Sequence, residues 1–302
     1  MKKKLPNFLI VGAAKSGTSS LHNYLNQHPE VFMPSYNSEG MKVKEPRFLI
    51  KDLVQHRLHN GIWTLEEYQD LFSDVKNEKS IGESTVLYLY YYKDAIKNIQ
   101  RYLGREVKII IMLRNPIDRA YSAFQHVSRG LKENNTFEES LRIETGRIER
   151  EKDLTPMVMY KEMGLYYKMV KAYKDSFNDI HIIFYEDFRD DLDVEMNKVY
   201  NFLNISNDVD INLKRRYNVG GKRWKSRVVK DFFIRDNWMK SILKFVLPKN
   251  FRKNIHTRLL DLSTNKASLM KLETRKMLCD FFEEDIYKLS KLINKDLQHW
   301  TK

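Results

Sequence analysis

The sequence predicts a three-layer, P-loop-like α/β fold: a central, mostly parallel β-sheet flanked by helices, with a helical segment at the C-terminal end. Three observations carry this. Phe8–Val11, Lys108–Leu113 and Ile180–Tyr185 are short apolar, β-branched runs, as buried parallel strands should be. Amphipathic patterns at helical spacing alternate with them, and that alternation gives a parallel sheet covered on both faces. The first strand runs into Gly12–Ser20, which supplies two glycines, one lysine and four hydroxyls before Leu21, Tyr24 and Leu25 recur at helical spacing.

Strand, glycine-containing loop and helix together aim backbone N–H groups and the positive helix end at a phosphate. A loop of the ATP or GTP type reads G-x-x-x-x-G-K-[ST], with lysine directly after the second glycine. Gly12 and Gly17 keep that separation here, but position 18 is threonine and the lysine is Lys15. The loop therefore suits a 5′-phosphate and lacks the kinase lysine and its adjacent magnesium hydroxyl. It points to a different donor.

His28-Pro29-Glu30 marks the exit of the first helix. Glu45-Pro46-Arg47-Phe48-Leu49 sets a carboxylate before a rigid proline and apolar anchors. Trp63–Phe72 reads as a short amphipathic helix, and Lys79–Ser84 leads into the aromatic run Tyr88–Tyr92 on a second strand–helix unit. After Lys108–Leu113 comes Arg114-Asn115-Pro116, with Pro116 at the first position of a helix. Ile117, Ala120, Tyr121, Phe124 and Val127 form its apolar stripe and Gly130 ends it. Thr136 with Glu139 forms a capping box for the next helix. Gly164–Phe177 and Asp191–Leu203 are helices on either side of the strand Ile180–Tyr185. In such sheets ligands bind beyond the carboxyl ends of the strands, where the loops after Val11 and Leu113 both fall.

From Asn207 the character changes. Lys214–Lys225 is a basic, glycine-containing loop. Val228–Val246 reads as a basic amphipathic helix or helix pair stopped by Pro248, Lys249–Ala267 is weakly patterned, and Leu272–Leu292 is a strong final helix. No repeat or low-complexity linker divides the chain, so a single domain over 1–302 is expected, with 228–270 as a helical insertion within it. That insertion can be read as a packing appendage, as a lid, or as a peripheral membrane contact through 228–246.

With 302 residues, of which 42% are hydrophobic, the chain can bury a large core, and no apolar run approaches a membrane span. Met1–Lys4 followed by Phe8–Val11 is too short for a secretion signal and runs straight into the phosphate loop, so a cytoplasmic protein is expected. The one cysteine, Cys279, excludes an intrachain disulfide and a multi-cysteine metal cluster. Its neighbours Met277, Leu278, Phe281 and Phe282 mark it as a core thiol. The net charge of +13 suits a polyanionic ligand. Lysine and glutamate are interleaved nearly everywhere, however, and no recognition motif emerges, which argues against nucleic acid as the partner.

The motifs PNFLIVGAAKSGTSSL, KEPRFL, IGESTVLYL, IIIMLRNPIDRAYSAF, MGLYYKMVKAY…IHIIFYEDF and FFEEDIYKLSKLINKDLQHW follow one another in this order. Taken together they resemble the sulfotransferases that use 3′-phosphoadenosine 5′-phosphosulfate (PAPS), in particular the heparan sulfate sulfotransferase-like branch and its bacterial relatives. The likeness covers nearly the whole chain and is thinnest over 227–271. It implies PAPS as sulfuryl donor, adenosine 3′,5′-bisphosphate (PAP) as product and no metal requirement. The implied acceptor is a glycan or small molecule bearing a hydroxyl or amine.

The resemblance also distributes roles. Lys15, Ser16, Gly17, Thr18 and Ser19 would wrap the 5′-phosphosulfate, and Lys15 would meet the charge that builds on the bridging oxygen. Arg114 and Ser122 would hold the 3′-phosphate. Arg119 is either a third contact or a structural ion-pair partner. Gly221, Lys222, Arg223 and Trp224 would close over the same phosphate and the adenosine, although relatives carry a basic residue where this chain has Gly220. Glu45 would be the general base, with His126 its rival despite lying away from the expected position. His22 and His28 read as satisfied helix-end histidines. Ser84 stands where many heparan-type relatives have lysine, which removes a charge expected near the acceptor. The competing reading, a P-loop phosphotransferase, requires a lysine at position 18 and a magnesium carboxylate after a strand.

Overall fold

The computed structural model describes residues 4–35, 40, 43–130, 133–213, 222–224, 264–266 and 268–302. Strands β1 (Phe8–Gly12), β2 (Val31–Phe32), β3 (Ser80–Ser84), β4 (Lys108–Leu113) and β5 (Ile180–Phe184) form one sheet in the order β2-β3-β1-β4-β5. Every neighbouring pair is parallel. The helices are α1 (Thr18–Leu25), α2 (Lys51–Val54), α3 (Leu65–Asp70), α4 (Tyr92–Tyr102), α5 (Pro116–Val127), α6 (Phe137–Arg142), α7 (Arg147–Arg150), α8 (Tyr166–Ser176), α9 (Tyr185–Asp190), α10 (Leu192–Leu203) and α11 (Leu272–Ile293). The expected three-layer fold is what forms.

Side chains alternate across a strand, so each central strand feeds two layers. Leu9, Val11, Ile109, Ile111 and Leu113 face the larger core, where Ile99 of α4, Ile117 of α5, Val170 of α8 and Phe282 of α11 cover them. Phe8, Ile10, Ile110 and Met112 face the other way, under Leu21 and Tyr24 of α1 and Val199 and Leu203 of α10. Each such side chain contributes about 1.5–3 kcal/mol by leaving water. Continuous apolar runs are therefore required in β1 and β4, and a one-faced pattern would leave one layer bare.

Local signals set the element ends. Thr136 Oγ1 accepts from Glu139 N (3.2 Å) and Glu139 Oε2 accepts from Thr136 N (2.8 Å), so the expected capping box starts α6. Helix α3 is shorter than the apolar pattern over 63–72, because a second capping box fixes its start at Thr64. Helix α8 begins at Tyr166, two residues beyond Gly164, which lies in a 3-10 turn instead. A side chain at Gly164 would meet the Phe282 ring of α11 at 2.8 Å, so glycine allows that close approach.

The basic loop contains a short strand, β6 (Lys222–Trp224), paired antiparallel with β7 (Thr264–Lys266). The expected helix over 228–246 and Gly221 lie outside the described residues. Cys279 is half-buried at the edge of the larger core, less enclosed than its apolar neighbours suggest. No described helix is long and apolar enough to cross a membrane.

Candidate active site

Strand register gathers the site. Thr85 N donates to Ile10 O (3.1 Å), and Leu89 N to Val11 O (2.8 Å), which places the end of β3 beside the end of β1. Leu113 pairs with Phe184, so the next residues, Arg114 and Tyr185, are neighbours. Four strand ends thus open onto one cleft of about 1070 Å³. It lies at the carboxyl edge of the sheet, where α/β sheets bind ligands.

Helix α1 begins at this cleft. Its first turn has neither an acidic residue nor a side-chain cap, which leaves its leading N–H groups for a ligand. Gly17 at its N-cap has φ +94, and a Cβ there would press on Met112 and Tyr185 at 3.3 Å. Lys15 takes φ 72, a left-handed conformation that non-glycine residues adopt at a cost of about 1–3 kcal/mol. Lys15, Gly17, Thr18 and Ser19 all line the cleft. Ser16 does not: it is fully buried, with its hydroxyl beside that of Tyr166.

Arg114 is braced from three directions. Its Nη1 donates to Lys15 O (3.2 Å), its guanidinium lies over the Tyr185 ring at 4.6 Å, and its carbonyl accepts from Tyr166 Oη (3.1 Å). Asn115 next to it caps α5 by accepting from Ile117 N (2.9 Å), while its Nδ2 donates to Trp300 O (3.0 Å). Ser122, two turns along α5, lines the same cleft. Arg119 does not; it is fully buried and donates to Tyr160 O, a backbone carbonyl rather than the partner of an ion pair.

Glu45 enters from the loop after β2. Lys44 Nζ (3.6 Å) and Arg47 Nη2 (3.7 Å) bracket its half-buried carboxylate. Lys44 also donates to Ser19 Oγ (2.8 Å), tying this loop to the phosphate loop. Burial, followed by Arg129, Arg114 and Lys44, pushes the Lys15 ammonium down to about 8, and Glu45 opposes that shift. His126 lines the same cleft rather than lying apart from it. Burial, then Lys15 and Arg129, pushes it down to about 4, so its imidazole is neutral at pH 7 and its surroundings oppose its taking a proton.

Tyr185, Lys44 and Arg129 were not singled out from the sequence, although Tyr185 and Lys44 sit inside the quoted FYEDF and KEPRFL motifs. Ser84 is fully buried and is not among the residues that line the cleft. His28 is satisfied as expected, with Nε2 at 2.9 Å from Ser206 O and Nδ1 accepting from Glu30 N (3.0 Å). The side chains of Lys222, Arg223 and Trp224 lie outside what the structure describes.

Fold and site define a class: a three-layer α/β protein with a phosphate loop after β1 and a strand-end arginine facing it. The sequence profile of the sulfotransferase domain matches residues 5–218, and the chain belongs to that family of transferases. A crystal structure of a sulfotransferase from Alicyclobacillus acidocaldarius is similar over 99% of this chain and 100% of that one, with 29% identity and a TM-score of 0.74. Membrane-associated sulfotransferase kil1 of Dictyostelium discoideum is 29% identical over 132 residues, 44% of this chain and 25% of that protein. Human bifunctional heparan sulfate N-deacetylase/N-sulfotransferase 2 is 32% identical over 127 residues, 41% of this chain. The match spans only 13% of that much longer protein.

Proposed function

We propose that the protein transfers a sulfuryl group from PAPS to a hydroxyl or amino group of a carbohydrate or small-molecule acceptor. The observation that carries this reading is the meeting of Lys15, the open end of α1, Arg114, Ser122 and Glu45 in one cleft. Position 18 is threonine, which disfavours a phosphotransferase. The cleft is also of the size that encloses a nucleotide. The amides of Gly17–Ser19, with Lys15 and Thr18, would take the 5′-phosphosulfate. Arg114 offers a fork for the 3′-phosphate oxygens, and Ser122 a hydroxyl donor.

The acceptor oxygen or nitrogen attacks sulfur in line with the leaving group. Its bond to sulfur forms as the bond from sulfur to the bridging phosphate oxygen breaks. Glu45 takes the acceptor proton, and the Lys15 ammonium meets the charge growing on that oxygen, so PAP leaves. The scheme assigns no step to a metal. Relatives named for heparan sulfate favour a glycan among the candidate acceptors.

Calorimetry tests the donor assignment. PAP is expected to bind without magnesium, and Arg114→Ala to weaken that binding about 10- to 100-fold, the scale of a charge-assisted hydrogen bond. Magnesium-dependent ATP binding with none of PAP would overturn it. Turnover of PAPS against a panel of phenols, amino sugars and N-deacetylated heparan oligosaccharides then identifies the acceptor class.

A further inference from the structure

The stretch that carries Glu45 has no regular structure until the 3-10 turn at Phe48–Ile50. Its backbone is nonetheless held at two points by side chains that follow β3. Arg47 N donates to Thr85 Oγ1 (3.3 Å), and Leu49 N donates to Tyr88 Oη (3.3 Å). The first of these bonds acts on an unusual residue, because Arg47 has φ 61 without being glycine. Arg47 is also one of the two cations that bracket Glu45.

Behind both hydroxyls sits Glu83, fully buried in β3. Its Oε1 accepts from Thr85 Oγ1 (2.8 Å) and its Oε2 from Tyr68 Oη (2.5 Å), and Tyr88 bonds the same carboxyl. A buried carboxyl is costly unless its oxygens are satisfied. Here hydroxyls satisfy it, and no ion pair to it occurs among the described residues. Neither the sheet nor the chemistry proposed above needs a carboxyl at this position.

Proton direction supplies a reason for it. Each hydroxyl has one proton to give. Burial raises the pKa of the Glu83 carboxyl, opposed by the hydrogen bonds of Tyr68, Tyr88 and Thr85, and in those bonds Thr85 and Tyr88 give their protons to it. That turns both oxygens outward as acceptors for the amides of Arg47 and Leu49. The same stretch is fixed to the donor side, since Thr85 N donates to the carbonyl of Ile10 in β1, the strand that leads into the phosphate loop.

We propose that Glu83 is a positioning residue. Through Thr85 and Tyr88 it fixes the backbone from Arg47 to Leu49 and so sets Glu45 at its place against the donor. The proposal rests on Glu45 being the base. Misplacing a catalytic group by about 1 Å costs on the order of 10²-fold in rate, so a network one hydrogen bond removed from the base has leverage on turnover without touching substrate.

The test compares Thr85→Val, which removes the hydroxyl at constant shape, with Thr85→Ser, which keeps it. Glu83→Gln and Tyr88→Phe serve as second probes should Thr85→Val fold poorly. PAP release from PAPS is followed with the best acceptor of the panel, alongside PAP affinity and thermal midpoint. Thr85→Val and Glu83→Gln are expected to lower kcat about 10- to 100-fold with KM for PAPS and PAP affinity within about twofold. Thr85→Ser is expected to restore turnover to within about threefold. Wild-type kcat in Thr85→Val beside an inactive Glu45→Gln overturns the positioning role while leaving the base in place. Equal losses of kcat and PAP affinity, or no rescue by serine, reduce the network to fold support and overturn it too. Wild-type turnover in Glu45→Gln removes the base assignment itself, and the proposal with it.

Discussion

Glu45→Gln is expected to bind PAP within about twofold of wild type while kcat falls about 10²- to 10⁴-fold, the usual contribution of a positioned base. The change keeps size and shape and removes the ability to take a proton, together with the charge that faces Lys44, Arg47 and Lys15. In the proposed scheme PAP is held by Lys15, Arg114 and the α1 amides, and of these Lys15 feels the Glu45 charge, which raises its pKa, so the comparison is made at or below pH 7. The informative comparison is His126→Gln. That imidazole lines the same cleft and is neutral at pH 7, although burial, Lys15 and Arg129 weaken it as a proton acceptor. If Glu45 is the base, His126→Gln retains turnover within a few-fold and the acidic limb of the pH–rate profile survives in it. Retained turnover in Glu45→Gln with loss in His126→Gln would exchange the two roles.

The parts of this site that were legible in the sequence are those in which function is written along the chain. Lys15 and Thr18 could be read because a phosphate loop is a contiguous strand–turn–helix, and the displaced lysine is visible as a spacing. Arg114 was legible because Asn115-Pro116 marks a strand end meeting a helix start. Tyr185 was not, because its place under the Arg114 guanidinium depends on β5 lying next to β4, a fact of sheet order. The burial of Ser84 was hidden for a related reason. Its neighbours in sequence suggested a cleft position, yet β3 is flanked by both β1 and β2 and the residue is enclosed. Ser16 sits between cleft-lining residues and turns inward. Short range also explains the helix ends: the Thr136 capping box was plain, whereas the 3-10 turn at Phe48–Ile50 hangs on hydrogen bonds to Thr85 and Tyr88, more than thirty residues away. Patterns report what a segment does with its own neighbours, and the Glu45 loop is organised by a different segment.

Lys15→Met is expected to lower kcat about 10²- to 10³-fold, the scale of removing one preorganised group that meets developing transition-state charge. It should also abolish the pH dependence of PAP binding expected of the wild type. In the free protein the ammonium is held at about 8 by burial and by Arg129, Arg114 and Lys44. A phosphate seated beside it reverses the balance and raises its pKa, so the complex holds a proton that the free protein has begun to lose. PAP affinity should therefore be level near pH 7 and fall above pH 8, by up to about tenfold per pH unit, the slope for uptake of one proton. The free protein runs the other way. Between pH 8 and the ordinary lysine value of 10.5 its unfolded chain binds more protons than the native one, so stability rises with pH as the cost of the buried charge is relieved. Calorimetry at pH 9 in buffers of different ionisation enthalpy reads the uptake directly, approaching one proton per PAP in wild type and none in Lys15→Met. A pH-independent wild-type affinity between 7 and 10 would mean that Lys15 does not face the bound phosphate. The charge on the leaving oxygen would then fall to Lys44, which already reaches Ser19 from the Glu45 loop.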